Sequence, residues 1–359
     1  MATLKIRGGD LDLVEYDFTS FRPGENLHTG KISAVKKPEP KKGTFRVRAP
    51  ARIHLTVLDM NRFSPGLPGG GGFGFDLEEY HEATAAISDT MEIHSPRRLL
   101  IEHLAAAFCE VTGYQGGFRI ETHDSGREHI GLGSTCTTAV AAVTAMNEAV
   151  GCPLTPDGVR YLIGYNYVEE TAVEGEVVFG FETGVGAMAS ISGGMNVIGD
   201  RLTRICTYPF AEGKHVYILT PIIHHPDENA GTEEFSLLMN RARVLDYRDR
   251  ELKTYMVMMD FIPALAAGNL RKMGDVMWEL EFRGSKRAEV QHHTFVIYQY
   301  MDALRRAGLE FVAMSSVGPS VCVVTEQPRE VMDKITGDIG LRVELETRVD
   351  NTGAVVSRE

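Results

Sequence analysis

At residues 131–138 the chain reads Gly131-Leu132-Gly133-Ser134-Thr135-Cys136-Thr137-Thr138, and apolar residues at helical spacing follow over 139–150. Glycines let backbone amides approach an anion closely, and a helix that begins at Ser134 or Thr135 directs its unpaired N–H groups and positive dipole end to the same point. The stretch therefore predicts a phosphate-binding loop. An N-capped turn between a strand and a helix explains it equally well, because Ser and Thr are favoured caps.

Two further loops resemble this one in composition. Residues 59–74 and 314–320 are also rich in Gly, Ser, Thr or Asn, and each interrupts strand-like or helical sequence. The first contains four consecutive glycines at 69–72, which predicts close approach of a ligand to bare backbone or a mobile lid that closes over it. Loops held by a scaffold often carry function, so the three loops are expected to line one cleft. Three ordinary turns are the alternative.

The composition is that of a globular protein with room for two domains. The chain has 359 residues, of which 43% are hydrophobic and 24% charged, and this length favours two domains. Its formal net charge of −12 offers no general attraction to nucleic acid or to an anionic membrane. Neither is expected as a partner, and any anionic ligand must be held by local donors.

The cysteines and the N-terminus favour a cytoplasmic protein. No C-x-x-C spacing relates the five cysteines, which are Cys109, Cys136, Cys152, Cys206 and Cys322. This scatter is typical of reduced thiols and not of a zinc site or a disulfide framework. The N-terminal residues lack a basic segment followed by an apolar core, and no apolar run approaches the length of a membrane span.

The chain divides into three predicted parts. Residues 1–43 are polar and end in a charged, proline-punctuated linker, so they are expected to form an N-terminal arm. Residues 44–205 and 206–359 each show strand-like and helix-periodic segments, which predicts two α+β domains. Glycines within 175–194 are expected to bracket short strands, and 291–307 is expected to form one helix.

A polar row leads into the glycine-rich loop. Side chains at alternate positions of a strand share a face, so His54 and Thr56 are expected to point together, away from their apolar neighbours. Asp59 and Asn61 follow at the end of that strand, and Asp59 has the chemistry to bind Mg²⁺ or a ribose hydroxyl. Such a row in front of a glycine-rich loop favours a binding site over a solvated sheet face.

The first loop matches neither of two common phosphate motifs. No lysine follows its glycines, as a Walker A motif requires, and Cys136 stands where G-x-G-x-x-G has its third glycine. A helix N-terminus lowers the pKa of a thiol, so a nucleophilic Cys136 is one alternative. A phosphate turn needs only a small residue there, and we interpret Cys136 in that way.

Together these segments resemble the GHMP kinase superfamily, named for galactokinase, homoserine kinase, mevalonate kinase and phosphomevalonate kinase. Residues 131–135 are similar to its Gly-x-Gly-Ser-Ser phosphate loop and 315–320 to its glycine-rich C-domain loop, within a resemblance that covers about 44–326. Within the superfamily, 52–61, 183–186 and the C-domain loop look most like β-ribofuranosylaminobenzene 5′-phosphate synthase. The resemblance implies a two-domain α+β fold with a ligand cleft between the domains.

Two departures refine the resemblance. Kinases of the superfamily that use a catalytic aspartate carry it in a Ser-Gly-Ile-Asp-like turn, whereas Thr183-Gly184-Val185-Gly186 ends in glycine. This difference weakens a kinase interpretation, although some family kinases manage without the base. The Gly-Arg-Ile-Asp-Gly-Gly-like segment of the methanopterin enzyme is also missing, because Gly66-Leu67-Pro68-Gly69-Gly70 follows Asn61. A changed acceptor loop favours the related C-nucleoside synthases of formycin and pyrazofurin biosynthesis.

The resemblance therefore implies a synthase that uses phosphoribosyl pyrophosphate (PRPP). It would join C1 of ribose 5-phosphate to a ring carbon of an aromatic or heteroaromatic acid, such as a pyrazole carboxylate, and release pyrophosphate and CO₂. The 131–136 loop and Mg²⁺ would stabilise the leaving pyrophosphate, and CO₂ loss would restore aromaticity without a base that removes a ring proton. An ATP-dependent small-molecule kinase and a non-catalytic, nucleotide-responsive protein are the alternatives. A homodimer is expected.

The predicted site residues form three groups, in which Arg98 is an alternative to Arg52 as the partner of a carboxylate or 5′-phosphate. The catalytic group is His54, Asp59 and Ser134, of which Ser134 and Asp59 would also ligate Mg²⁺. The phosphate-binding group is Gly131, Gly133, Ser134, Thr135, Cys136, Ser315, Ser316, Gly318 and Ser320. The substrate-binding group is Arg52, Thr56, Asn61, Gly70, Gly71, Gly72 and Thr183.

Overall fold

The computed structural model describes residues 3–6, 14–17, 19–123, 134–222, 232–293 and 295–359. The strands in these ranges are β1 Thr3–Ile6, β2 Val14–Asp17, β3 Phe45–Val57, β4 Gly72–Ser88, β5 Glu92–His94, β6 Gly117–His123, β7 Val168–Glu170, β8 Val177–Phe179, β9 Met195–Ile198, β10 Arg204–Tyr208, β11 His215–Pro221, β12 Phe311–Met314, β13 Val321–Thr325, β14 Leu341–Thr347 and β15 Val355–Arg358. The α-helices are α1 Arg98–Thr112, α2 Ser134–Ala149, α3 Pro156–Tyr165, α4 Val185–Ser192, α5 Thr232–Met256, α6 Ile262–Ala266, α7 Leu270–Leu280, α8 Gly284–His292, α9 Val296–Arg306 and α10 Arg329–Ile339. A 3₁₀ turn covers Asp200–Leu202, and a π-helical turn, Val257–Phe261, joins α5 to α6.

The N-terminal domain is built on one sheet with the strand order β10-β9-β4-β3-β15, and β6 pairs with both β4 and β5. The long antiparallel pair of β3 and β4 forms its centre. On one face, apolar residues of β3 such as Val47 pack against α1 and α2, which contribute Leu104, Phe108 and Val143 to the same buried cluster. Alternation along β3 thus gives the N-terminal domain its own core.

A bulge lets β3 serve a second core. The pairing with β4 shifts register between Pro50 and Ala51, and a proline lacks the N–H that a regular ladder requires. Beyond this point Ala51, Ile53 and Leu55 pack against the C-terminal domain and no longer against α1 and α2. The last residues of β3 therefore lie at the junction of the two domains.

The C-terminal domain has an antiparallel sheet with the strand order β12-β13-β11-β14. Its central strand alternates: Val216 and Ile218 join the core shared with the N-terminal domain, while Tyr217 and Leu219 face a separate core formed with α9 and α10. Helices thus cover both faces of this sheet. The predicted α+β class with two domains is confirmed by this architecture.

Four features differ from the sequence-based predictions. The predicted domain boundary at 205 falls within β10, which belongs to the N-terminal sheet, and β15 returns from the second part of the chain to pair with β3. α4 replaces predicted short strands, because Gly184 and Gly193 cap a helix at its two ends. The helix predicted over 291–307 is two helices, α8 and α9. Within the described ranges, no helix is long and apolar enough to span a membrane.

Candidate active site

A cleft of about 190 Å³ opens where the end of β3 meets the C-terminal domain. The N-terminal domain contributes β3 and the turn before α4, and the C-terminal domain contributes α5, α8 and the loop between β12 and β13. Its polar lining residues are Arg52, His54, Glu182, Thr183, Glu289 and Ser316. Its apolar lining residues are Val57, Met60, Phe63, Phe181, Ala242 and Val317. The cleft therefore has the mixed lining of a site for a small organic ligand.

Arg52 forms no ion pair with a described residue. Its Nε atom is buried, and the Nε–H donates to no described residue. Asp76 lies opposite Arg52 in the strand register, but the two form no ion pair, and burial raises the pKa of the Asp76 carboxyl well above its usual range. The alternative candidate, Arg98, is exposed and pairs with Glu102 at 3.1 Å. Arg52 is partly buried, and shielding an unpaired guanidinium nitrogen from water is costly unless a ligand completes it, so Arg52 is the candidate residue for an anion subsite.

His54 lies two residues further along β3 and also lines the cleft. Its buried Nε2 has no hydrogen-bond partner among the described residues. Burial lowers the pKa of His54 well below its usual range, and the positive charges of Arg52, Lys286 and Lys253 lower it further. Its carbonyl oxygen accepts the N–H of Ser316 at 2.8 Å. The imidazole is therefore neutral at neutral pH, and the backbone of His54 is bound to the C-terminal domain.

Gly186 ties the first turn of α2 to this cleft. A Cβ atom at Gly186 would lie 2.9 Å from Cys136 Sγ and 3.4 Å from Arg52 Nε, so position 186 has no room for a carboxylate side chain. Burial raises the pKa of the Cys136 thiol well above its usual range, which disfavours the nucleophilic alternative. The α2 helix begins at Ser134, as predicted. Gly131, Gly133 and the side chain of Ser134 lie outside the described residues.

A buried lysine supports the loop between β12 and β13 through hydrogen bonds to its backbone. Lys286 Nζ donates to Ser316 O at 2.7 Å and Met314 O at 3.2 Å and pairs with Glu289 at 3.0 Å. Glu281 accepts the N–H of Met314 at 2.9 Å. This support fixes the loop against the cleft.

Only one of the predicted loop serines lines the cleft. Ser316 does so, whereas Ser315 and Ser320 are fully buried, and Ser315 N–H donates to Ser320 O at 2.9 Å. A Cβ atom at Gly318 would lie 2.6 Å from Met314 Sδ, so this glycine is required for packing. These positions shape the loop and do not themselves face the cavity.

The prediction that Thr56 shares a face with His54 is wrong. The register with β4 shifts between these residues, and a bulge of this kind reverses the alternation of side chains. Val57 therefore lines the cleft beside His54, while Thr56 is buried and donates its hydroxyl to Val57 O at 3.0 Å. Alternation alone could not reveal this bulge.

Asp59 and Asn61 do not line the cleft either. Asp59 faces a second cavity of about 600 Å³ on the other side of the β3–β4 connection. Its carboxylate accepts the N–H and side-chain amide of Asn61, both at 3.0 Å, and pairs with Arg250 at 3.4 Å. Because these contacts occupy the carboxylate, the predicted role of Asp59 as a ligand of Mg²⁺ beside Ser134 does not fit this geometry.

The glycine run packs against backbone and forms no lid over a ligand. Gly70 and Gly71 have φ angles of 75° and 60°. A Cβ atom would lie 2.5 Å from Asp59 O at Gly70, 2.3 Å from Ile198 O at Gly71 and 2.5 Å from Thr56 O at Gly72. Only glycine tolerates both this conformation and these approaches. The run is a buried crossing between strands, and the prediction that it closes over a substrate is wrong.

The sequence analysis missed three charged residues in or beside the cleft: Lys286, Glu182 and Lys253. Lys253 is buried and pairs with Asp246 at 2.5 Å, next to the start of α8. Lys286 gave one signal that could have been used, because a lysine in the first turn of a helix opposes the helix dipole and therefore needs a reason. Its contacts with the carbonyls of the β12–β13 loop supply that reason.

Comparison with known proteins confirms the expected resemblance. A family model described as the GHMP kinases N terminal domain matches residues 99–194. Relatives named beta-ribofuranosylphenol 5'-phosphate synthase from Archaeoglobus fulgidus and Methanothermobacter thermautotrophicus are 27% and 24% identical, over 79% and 82% of this chain and 88% and 93% of theirs. The solved structure of homoserine kinase from Cytophaga hutchinsonii matches with a TM-score of 0.61 at 15% identity, over 89% of this chain and 99% of that one. The last likeness concerns the fold alone.

Proposed function

We propose that this chain, which has the fold of the GHMP kinases and resembles the β-ribofuranosylphenol 5′-phosphate synthases, is a PRPP-dependent C-glycoside synthase. It joins C1 of ribose 5-phosphate to the ring carbon of an aromatic or heteroaromatic acid that carries the carboxylate, and it releases pyrophosphate and CO₂. The observation that carries the proposal is the unpaired Arg52 beside Gly186. This pair offers an anion site and leaves no room for the base of a phosphoryl transfer.

Arg52 and the first turn of α2 are proposed to hold the pyrophosphate. Both lie against Gly186, so the guanidinium and the helix N-terminus with Ser134 and Thr135 act on one anion. Donors placed in this way stabilise the charge that develops as pyrophosphate leaves. Mg²⁺ is proposed to arrive with PRPP, because the described residues hold no group of three or more His, Cys, Asp or Glu side chains arranged for a metal ion, and pyrophosphate oxygens suit Mg²⁺.

The apolar half of the cleft is proposed to hold the acceptor ring. Phe63 and Phe181 meet edge to face with ring centroids 5.7 Å apart, and Val57 and Val317 complete the wall. These aromatic and aliphatic side chains suit an acid with a single ring, such as a pyrazole carboxylate. Attack by the ring carbon on C1 forms the C–C bond, and loss of CO₂ from that carbon returns the electron pair to the ring.

Product release tests this function directly. Purified protein is incubated with MgPRPP and single-ring acids, and pyrophosphate and CO₂ are measured in the same reaction. We expect the two in equal amounts and only when an acid is present. Pyrophosphate formed without an acid would contradict the proposal, and ADP formed from ATP with a hydroxyl substrate would favour a kinase. Light scattering tests the expected homodimer.

A further inference from the structure

The solvent-facing side of α5 and of the π-helical turn after it is rich in large apolar side chains. Tyr247 and Tyr255 keep 64% and 60% of their surface exposed. The opposite side of the helix is buried and encloses Asp246 and Lys253. The exposed side, here called the α5 face, contains the apolar residues Tyr247, Leu252, Tyr255, Met258 and Met259. Aromatic residues and methionines gathered on one exposed face are typical of an interaction surface.

The α5 face continues onto the N-terminal domain. Glu251, Thr254 and Met258 line the second cavity of about 600 Å³, and Ile205 lines it from the N-terminal domain. Ile205 is exposed and belongs to β10, which is an edge strand of its sheet. The apolar surface therefore spans both domains and offers a partner more area than one helix alone.

Tyr247 is ordered before any partner binds. The guanidinium of Arg250 lies over its ring, 4.5 Å from the ring centroid, and Arg250 itself pairs with Asp59 at 3.4 Å. An aromatic side chain that is already ordered loses little conformational freedom when a partner covers it. Tyr247 therefore has the properties of an interface anchor.

The α5 face also carries one charge of each sign. Arg248 and Glu251 are exposed, and the ion pairs that α5 forms with described residues involve Arg250 and Lys253 instead. Residues three apart on a helix project within about 60° of each other, so both charges lie among the apolar side chains. A partner that covers this face must therefore supply an acid to Arg248 and a base to Glu251.

We propose that the α5 face binds a second copy of this chain, with the two helices antiparallel across a two-fold axis that passes between residues 249 and 250. In this register Arg248 of each copy meets Glu251 of the other, and Tyr247 meets Leu252. An interface between identical copies requires this self-complementary order. A purely basic or purely acidic partner would leave one of the two charges unpaired. The inference goes beyond the proposed function and does not depend on it.

The test exchanges the two charges in separate variants. Arg248→Glu leaves only acids at both contacts and Glu251→Arg leaves only bases, so each variant alone should dissociate on the order of 10- to 100-fold more readily than wild type. When the two variants are mixed in equal amounts, both ion pairs are restored, and the heterodimer should form nearly as well as the wild-type dimer. Analytical ultracentrifugation over a dilution series measures each sample.

Two further variants serve as comparisons. Arg306→Glu, at an exposed arginine of α9, is the matched charge reversal away from the α5 face and should dimerise as wild type does. Tyr255→Ser removes apolar contact without adding a charge and should weaken the dimer. Thermal unfolding checks that every variant is folded.

A monomeric wild type would overturn the inference, and so would single charge variants that stay dimeric or a mixture that does not recover the dimer. None of these measurements depends on pyrophosphate release, which tests the proposed function separately. A dimer without turnover would leave the inference standing and contradict the proposed function.

Discussion

The two cavities on either side of the β3–β4 connection differ in how their charges are balanced. In the larger one, Arg62 pairs with Asp200 at 3.0 Å and Arg250 with Asp59 at 3.4 Å. In the smaller cleft, Arg52 forms no ion pair with a described residue. Ion pairs stabilise the wall of a cavity, whereas an unpaired, partly buried charge is retained at a cost in stability and is available to a ligand. Charge balance therefore distinguishes the two better than volume does.

The acidic residues near the two cavities also differ in the direction of their pKa shifts. Burial acts to raise the pKa of Asp200, but the Gly70 N–H and Arg62 outweigh it, so the pKa is lowered. Near the cleft, burial raises the pKa of Glu182, and it raises that of Glu281 to about 7. The Asp200 carboxylate at the larger cavity is thus stabilised in its ionised form, whereas burial favours the protonated form of Glu182 and Glu281 near the cleft.

The strongest test of the difference between the two cavities is to substitute one arginine in each. Arg52→Gln should lower kcat/KM for PRPP on the order of 100- to 1,000-fold, because it removes a preorganised donor to the leaving group. Arg62→Gln, its matched control in the other cavity, should change kcat/KM less than threefold. Steady-state release of pyrophosphate measures both. Similar losses in the two variants would show that charge balance does not identify the reacting site.

The second largest effect concerns stability against pH. The folded state holds a proton on Glu281 up to about pH 7, whereas the unfolded chain releases it near pH 4.5. The folded state therefore binds more protons in this window, and stability falls as pH rises through it, by on the order of 3 kcal/mol for this group. Glu281→Gln should remove that part of the pH dependence. Urea unfolding of both proteins between pH 4.5 and 8 measures how the free energy of unfolding changes with pH. The same slope in Glu281→Gln and in wild type would contradict the prediction.

Much of the fold was accessible from the sequence because its signals are local. The segment 117–123 alternates as a strand does, and the hydroxyls before 139–150 mark the start of α2 at Ser134. The cleft was partly accessible as well: strand alternation placed His54 on the polar face of β3, and the family resemblance of 52–61 and 183–186 pointed to Arg52 and Thr183. That these residues meet in one cleft follows only from the packed structure.

The errors arose where long-range pairing overrides local pattern. A bulge opposite β4 turns Thr56 away from the cleft, and the sequence of β3 alone contains no sign of it. The glycines at 70–72 are required because backbone atoms of 56, 59 and 198 approach them closely. From the sequence alone such a crossing cannot be distinguished from a ligand-binding loop. Lys286 lies far along the chain from β3, so only the packed structure places it beside His54.

A third prediction concerns Gly186, the position that distinguishes the kinase alternative from the proposed synthase. Gly186→Ala introduces a Cβ atom 2.9 Å from Cys136 Sγ and 3.4 Å from Arg52 Nε. We expect a loss of about 1–3 kcal/mol in the free energy of unfolding from overpacking, with a rise in KM for PRPP as the guanidinium moves. Thermal unfolding and steady-state kinetics measure these changes. Gly337→Ala, in α10, where a Cβ atom meets nothing within 4 Å, is the matched control for replacing a glycine within a helix.

The smallest expected effect tests the paired cavity. Asp200→Asn removes the charge that pairs with Arg62, but the amide oxygen can still accept the Gly70 N–H that the carboxylate accepts at 3.1 Å. Because the pair is partly exposed, the loss in the free energy of unfolding should be below about 1 kcal/mol, and kcat/KM should stay within twofold of wild type. Activity that fell with the charge while stability held would assign the larger cavity to the reaction, since a purely structural carboxylate acts on turnover only through the fold.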